Sequence, residues 1–177
     1  MYKSHRYLSR SVRLHCKAKR YIRCNNRRRF RDLLTRHPEL LGRIEDQLLL
    51  LQLVVWWQKY DLAEDMLRLG ADPNLADVLI SAAAENDLRM ARLLLDFGAD
   101  IEQANSNFET PLGYACSYDA VEVVQLLCER GADVNWTEGW GRSYLYGVQC
   151  AKQAKIEQIL LAHGARVIEE EPRLKRD

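Results

Sequence analysis

No Cys-x-x-Cys pair occurs in this 177-residue chain. Its five cysteines, Cys16, Cys24, Cys116, Cys128 and Cys150, are odd in number and follow no framework spacing. That excludes a disulfide scaffold and fits a reducing compartment, so a cytoplasmic protein is expected, with the nucleus as the alternative. His15 beside Cys16, with Cys24 beyond, has poor spacing for zinc, and no metal or cofactor is expected. Cys116, Cys128 and Cys150 read instead as small core residues in helices. Gly-rich phosphate loops, nucleophile motifs and paired-aromatic RNA motifs are absent. His5, His15, His37 and His163 are scattered, so the chain reads as no enzyme. Long apolar runs are missing too. The longest, Leu48 to Trp57, falls short of the roughly 20 residues that a helix needs to cross a bilayer.

Positions 1–31 lack acids altogether and hold 12 Lys and Arg. Positions 32–177 hold 14 basic and 25 acidic side chains, a balance of −11. The net charge of +1 therefore hides a basic arm joined to an acidic body. The arm has no continuous apolar stretch, which excludes a secretory signal. Its Arg and Ser content without acids is shared with organelle transit peptides, so an organelle address stays open.

What the chain does have is an internal repeat. Gly-Ala-Asp begins at Gly70, Gly98 and Gly131, and Gly-Ala-Arg at Gly164; the last two intervals are equal and the first is shorter. Each Gly ends a run with apolar residues at helical spacing: DLAEDMLRLG, RMARLLLDFG, EVVQLLCERG and KIEQILLAHG. Glycine stops a helix because it enters the left-handed region without a Cβ clash. A second, shorter helical run precedes each: LLLQLVVWWQ, DVLISAAAEN, TPLGYACSYD and SYLYGVQCAK. Ala82, Ala83, Ala115 and Gly147 recur there, and small side chains let neighbouring helices approach. The unit is thus short helix, longer helix, Gly stop and extended excursion.

This pattern resembles the ankyrin repeat family, most closely over Thr110 to Asn135 and also over SAAAENDLRMARLLLDFGADIE. The resemblance covers about residues 49–168. It implies a mainly α solenoid of about four repeats, each a helix-turn-helix plus a β-hairpin. The chain divides into a basic arm (1–31), one or two N-terminal capping helices (32–48), the repeats (49–168) and a charged tail (169–177). Within the capping region Pro38 starts a helix rather than breaking one, with Leu40, Leu41 and Ile44 as its apolar face. Only the third unit keeps Thr-Pro-Leu, and the family's His at the fourth position is replaced by Gln52, Ile80, Gly113 and Tyr146. That removes a side chain expected to tie neighbouring units. Between Gly70 and Asp77 the connection is five residues shorter than the others, so a stunted hairpin tip is expected. KIEQILLAHG, with Lys152, Lys155, Glu157 and Gln158, suits a polar C-terminal cap, which a stacked array needs at its ends.

The resemblance also implies that a protein partner docks on the concave face made by the hairpin tips and the exposed sides of the inner helices. Trp140 and Arg142 fall near one tip, Trp136 lies on the same excursion, and Phe108 is nearby on the preceding one. Trp56, Trp57 and Tyr118 match outward positions at the ends of inner helices, alongside Ala84, Glu85, Ser117, Cys150 and Ala151. Trp, Tyr and Arg dominate binding hot spots, which makes Trp56, Trp57, Phe108, Tyr118, Trp136, Trp140 and Arg142 the expected partner-binding set. Core packing of Trp56, Trp57 or Trp136 remains open at this point. The second candidate surface is the arm, where Arg20, Arg23, Arg27, Arg28, Arg29 and Arg31 could bind nucleic acid or another polyanion. Four of these sit where a helix begins after Asn25 or Asn26, and cations there oppose the helix dipole. An anionic partner would relieve that conflict; so would the acidic body folding back on the arm. The acidic run Asp61, Glu64 and Asp65 reads as a solvated helix face.

Overall fold

The computed structural model describes residues 10–42, 50–75, 77–137 and 143–166. Among them the chain forms ten α-helices in five pairs. They are α1 (Arg10–Arg23) and α2 (Arg27–Arg36), α3 (Leu50–Trp56) and α4 (Tyr60–Arg68), α5 (Val78–Ala84) and α6 (Leu88–Asp96), α7 (Pro111–Ser117) and α8 (Val121–Glu129), and α9 (Tyr144–Cys150) and α10 (Ala154–Ala162). A 3-10 helix, Pro38–Leu41, follows α2, with Pro38 in its first turn and Leu40 buried, as the sequence predicts. Ile44 lies outside the described residues.

Local chemistry sets the ends. Asn26, Asp87, Thr110 and Ser143 cap α2, α6, α7 and α9, each accepting a backbone N–H of the first turn. After α4, α6, α8 and α10 the repeated glycines lie at φ between +86° and +94°. His163 precedes the last of them, and its Nδ1 lies 2.9 Å from the Ile159 carbonyl. Between the two helices of each pair one residue takes the left-handed region: Asn25, Gln58, Asn86, Asp119 and Lys152. The following N–H donates to a carbonyl five residues back at all five turns, from Asn26 to Tyr21 through Gln153 to Val148. The interval from Asn25 to Gln58 equals those from Asn86 to Asp119 and from Asp119 to Lys152, so the α1–α2 turn keeps the period of the pairs marked by glycine. Inside the segment set apart by charge, α1 is helical from Arg10 and α2 runs through position 31.

The inner helices stack α3 on α5, α5 on α7 and α7 on α9; the outer helices α2, α4, α6, α8 and α10 stack in the same order. One continuous core results, and Ala82, Ala83 and Ala115 are at most 1% exposed within it. Two expectations need correction. Gly147 faces open space, with nothing within 4 Å of where a Cβ would stand. The close approach is at Gly113, where a Cβ would meet the Tyr144 ring at 2.8 Å. Cys150 is exposed while Cys116 and Cys128 are buried, because it shares the outward register of Trp56 and Ser117.

The excursions contain no strand among the described residues, only an isolated bridge between Thr137 and Ser143. Asx-type turns take the place of ladder pairing. Asp72, Asp100 and Asp133 each accept the N–H two residues on. A second set of bonds crosses between units. Asn74 accepts the Asp100 N–H at 2.7 Å, Glu102 that of Asp133 at 2.6 Å, and Asn135 that of Arg166 at 2.9 Å. The short excursion is thus tied to its neighbour despite its missing residues, and Asn74 also accepts Gln103 Nε2 on its carbonyl.

Candidate functional site

Every third or fourth residue of an inner helix turns away from the stack, and at the ends of α3 and α7 these positions carry large aromatic side chains. Trp56 closes α3 and is 57% exposed; Trp57 follows at 37%. Tyr118 ends α7 at 62% exposure. Of the eight outward positions that the repeat register selects, seven are exposed and Ala84 is half-buried. Phe108 is 65% exposed and held at φ +63°, a conformation that bulky residues seldom adopt.

These residues are linked by specific contacts. Tyr118 stacks on Tyr114, centroids 5.9 Å apart and planes within 5°. The Tyr114 hydroxyl accepts Asn105 Nδ2 at 3.1 Å, and Asn105 anchors the excursion by accepting the N–H groups of Asn107 and Glu109. Burial, with Glu109 adding to it, raises the Tyr114 phenol above its ordinary value, so it stays protonated. Trp136 is half-buried against the core, and its indole N–H donates to the Phe108 carbonyl at 3.3 Å. It joins two excursions through the backbone of Phe108. Trp140 and Arg142 lie outside the described residues. Sequence reasoning missed Tyr114 as part of this set, though its spacing of four from Tyr118 on one helix was the available signal. It also missed Tyr146, 46% exposed on α9. Between α7 and α9 the same side is indented by a cavity of about 270 Å³ lined by Gly113, Ser117, Tyr144, Val148 and Ala151.

The lost His at the fourth repeat position is answered from the next unit. Tyr144 lies over Gly113, and its hydroxyl bonds the buried Thr110 Oγ1 at 2.8 Å. Tyr60 makes a comparable reach, donating to Asp87 at 3.1 Å, while Arg89 lies 4.3 Å over its ring.

The basic residues divide. Arg27 Nε donates to Asp65 Oδ2 at 2.7 Å and its second nitrogen to Asp65 Oδ1 at 3.0 Å. Asp61 and Glu64 lie 3.6 and 3.8 Å from the same guanidinium. Asp65 is only 4% exposed. The acidic run is therefore, at Asp65, the buried seat of a cation from the start of α2 and not wholly a solvated face. The hydrogen bond to Asp65 raises Arg27 above its usual range. Arg20, Arg23, Arg28, Arg29 and Arg31 are exposed on α1 and α2. Among the described residues no group of three or more His, Cys, Asp or Glu side chains could hold a metal ion, and no helix is long and apolar enough to cross a membrane.

Comparison with known sequences matches the model of ankyrin repeats over residues 51–138, in three copies. An ankyrin repeat protein of fowlpox virus is 34% identical over 137 residues, 75% of this chain and 19% of that protein. The ankyrin repeat and LEM domain-containing protein 1 homolog of Caenorhabditis elegans is 35% identical over 65 residues, 37% of this chain and 9% of its own length. The serine/threonine-protein kinase VIK of Arabidopsis thaliana is 28% identical over 106 residues, 59% of this chain and 23% of that protein. The chain spans less than a quarter of each of these relatives.

Proposed function

On the premise that this chain is built on ankyrin repeats, which are generally protein–protein interaction modules, we propose that it is a non-catalytic docking protein. Its partner is a protein held on the concave face. One observation carries this reading: Trp56, Trp57, Phe108 and Tyr118 are large aromatic side chains left in water at the inner-helix ends and on an excursion. Aromatic anchors of this kind supply much of the affinity of an interface from few residues. Trp136 bonds the Phe108 carbonyl, and Trp140 and Arg142 extend the set by sequence. A body with a balance of −11 favours a partner with a basic surface through electrostatic steering. None of the five cysteines is in a disulfide, which supports a reducing compartment, the cytoplasm or nucleus.

The test is capture of partners by the full chain, by Trp56→Ala/Trp57→Ala and by Phe108→Ala/Tyr118→Ala, with each Tm measured. The expected result is one partner lost from both variants at unchanged Tm. A fall in Tm matching the loss of binding would make these core residues and end the proposal.

A second reading, an adaptor attached to nucleic acid through the basic segment, has its own observation. Residues 10–36 hold a single acid, Asp32, against exposed Arg13, Lys17, Arg20, Arg23, Arg28, Arg29, Arg31 and Arg36. Cations in that number neutralise phosphates and make binding salt-dependent.

A further inference from the structure

We propose that the groove between α1 and α2 seats a backbone phosphate of a single-stranded nucleic acid; this rests on the second reading above and gives it a site. The groove has a volume of about 200 Å³ and draws Lys17 and Tyr21 from α1 and Arg29, Asp32, Arg36 and His37 from α2 and its end. Three permanent cations thus converge on one recess against one carboxylate. Among the described residues no carboxylate lies within 4 Å of Lys17, Arg29 or Arg36, whereas Arg27, Arg68 and Arg130 each have one. Three cations gathered around a single carboxylate repel one another, and a bound phosphate offsets that repulsion.

The surroundings continue the pattern along a strand. Arg13 precedes Lys17 by four residues and Arg20 follows it by three, so all three share the face of α1 opposite the buried Ala18 and Ile22. At about 1.5 Å of rise per residue they span roughly 10 Å of helix, enough to follow successive phosphates. Tyr21 is half-buried at the groove wall with Lys17 Nζ 6.0 Å from its ring centre, which offers one aromatic face beside the cations. Aromatic stacking next to a positive groove is the chemistry that holds single strands without regard to sequence. A duplex is read by an element inserted into its groove. Here the feature is a recess, so the strand enters the protein.

The experiment uses the full chain and a labelled oligouridylate of about 15 nucleotides, within the usual size of a single-strand site, followed by fluorescence anisotropy. The comparison is with Lys17→Gln/Arg29→Gln/Arg36→Gln, which keeps the side-chain stems, with Asp32→Asn, and with Arg92→Gln/Lys155→Gln, exposed cations elsewhere. With five cations engaged, the slope of log affinity against log salt is expected near about −3.5, and the triple variant lowers its magnitude by about 2. The triple variant should weaken binding by about tenfold or more, and Asp32→Asn should tighten it, while the distant pair changes nothing. The Asp32 variant keeps the test valid if the triple variant folds poorly. Equal losses from the triple and the distant variants would overturn the proposal. So would tighter binding of a duplex of the same length, or binding to phosphatidylserine vesicles in place of the oligonucleotide. If Arg13→Gln/Arg20→Gln loses binding and the groove variant does not, the second reading stands and the groove assignment falls. If the full chain binds no oligonucleotide, both fall.

Discussion

At Gly113 one missing side chain makes room for another. The Tyr144 ring fills the space a Cβ would take, and its hydroxyl satisfies a Thr110 that is fully buried. Gly113→Ala is expected to cost about 1–3 kcal/mol, since Tyr144 is itself buried and has little room to move. Gly147→Ala, in open space on a helix, should be neutral or stabilise by up to about 1 kcal/mol. Tyr144→Phe should cost about 1 kcal/mol for the lost bond. Urea melts of the three variants check these outcomes, and equal effects at both glycines would remove the packing argument. The sequence shows that Gly113 lacks a tying side chain. It does not show that the tie comes from the following unit, because that depends on the spacing of units in the folded stack. The thiols are graded in the same way. Cys16, Cys24 and Cys150 should react with a disulfide reagent at once, and Cys116 and Cys128 only on unfolding. Burial pushes the Cys128 thiol up to about 11 from an ordinary 9.0. A group raised in the folded state contributes stability that is complete below pH 9 and lost as pH climbs through about 11. Cys128→Ala should flatten that part of the stability profile, measured by melts across the same window.

Among the elements, α1 and α2 carry the contacts least visible in the chain. Four arginines at the start of α2 oppose its dipole, and Arg27 resolves part of that conflict by reaching the buried Asp65 on α4. Arg27→Ala leaves a buried carboxylate without its bidentate partner. It should lower Tm clearly more than Arg28→Ala, and Asp65→Asn should cancel part of the Arg27 effect in a double-mutant cycle. Additive effects would show that the pair is not coupled. Both outcomes of the dipole conflict were legible as possibilities; only the fold shows which acid is within reach. His15 is the second such contact. Its two ring nitrogens are shielded from water without a hydrogen-bond partner, and burial, with Lys19 adding to it, lowers its pKa below 6.5. A group lowered in the folded state contributes stability that is present above pH 6.5 and lost as pH falls. Protection factors for amide exchange over α1, taken relative to the intrinsic rate at each pH, should therefore fall on acidification, and His15→Leu should abolish that dependence.

For the whole molecule, the glycine spacing made the repeats from α3 to α10 legible before any coordinates. Four Gly stops fix the ends of the outer helices, and a helical period of apolar residues fixes their faces. The α1–α2 pair escaped this reading. His37 stands where the period would put a glycine, and cations cover the outer positions of both helices. What it shares with the other pairs is a turn geometry, which no residue type announces. Its helices pack on α3 and α4, so removing residues 1–36 should lower the urea midpoint of the remaining stack, in keeping with stability that comes from neighbouring units. An unchanged midpoint would mean the pair is an appendage. The aromatic face was legible as a register, because Trp56, Trp57 and Tyr118 fall at equivalent places in their units. The role of Trp136 was not, since the Phe108 carbonyl it meets belongs to another excursion.

The side-chain bonds that cross from one excursion to the next come two to a joint: Asn74 with Asp100 and Gln103, Glu102 with Asp133 beside Trp136 with Phe108, and Asn135 with Arg166 and Gly164. Each pair is a catch at a joint that is also held by packing and by bonds between helices, such as Arg130 to Asp96 and Gln153 to the Cys116 carbonyl. A tether pulling on the two ends of the molecule loads these catches in series, and the weakest joint opens first. The protein then lengthens in discrete steps, each of about 110 Å for a full unit and about 95 Å for the short one. Its aromatic face would be dismantled in the same steps, so tension on the chain and grip on a partner would be read from one trace.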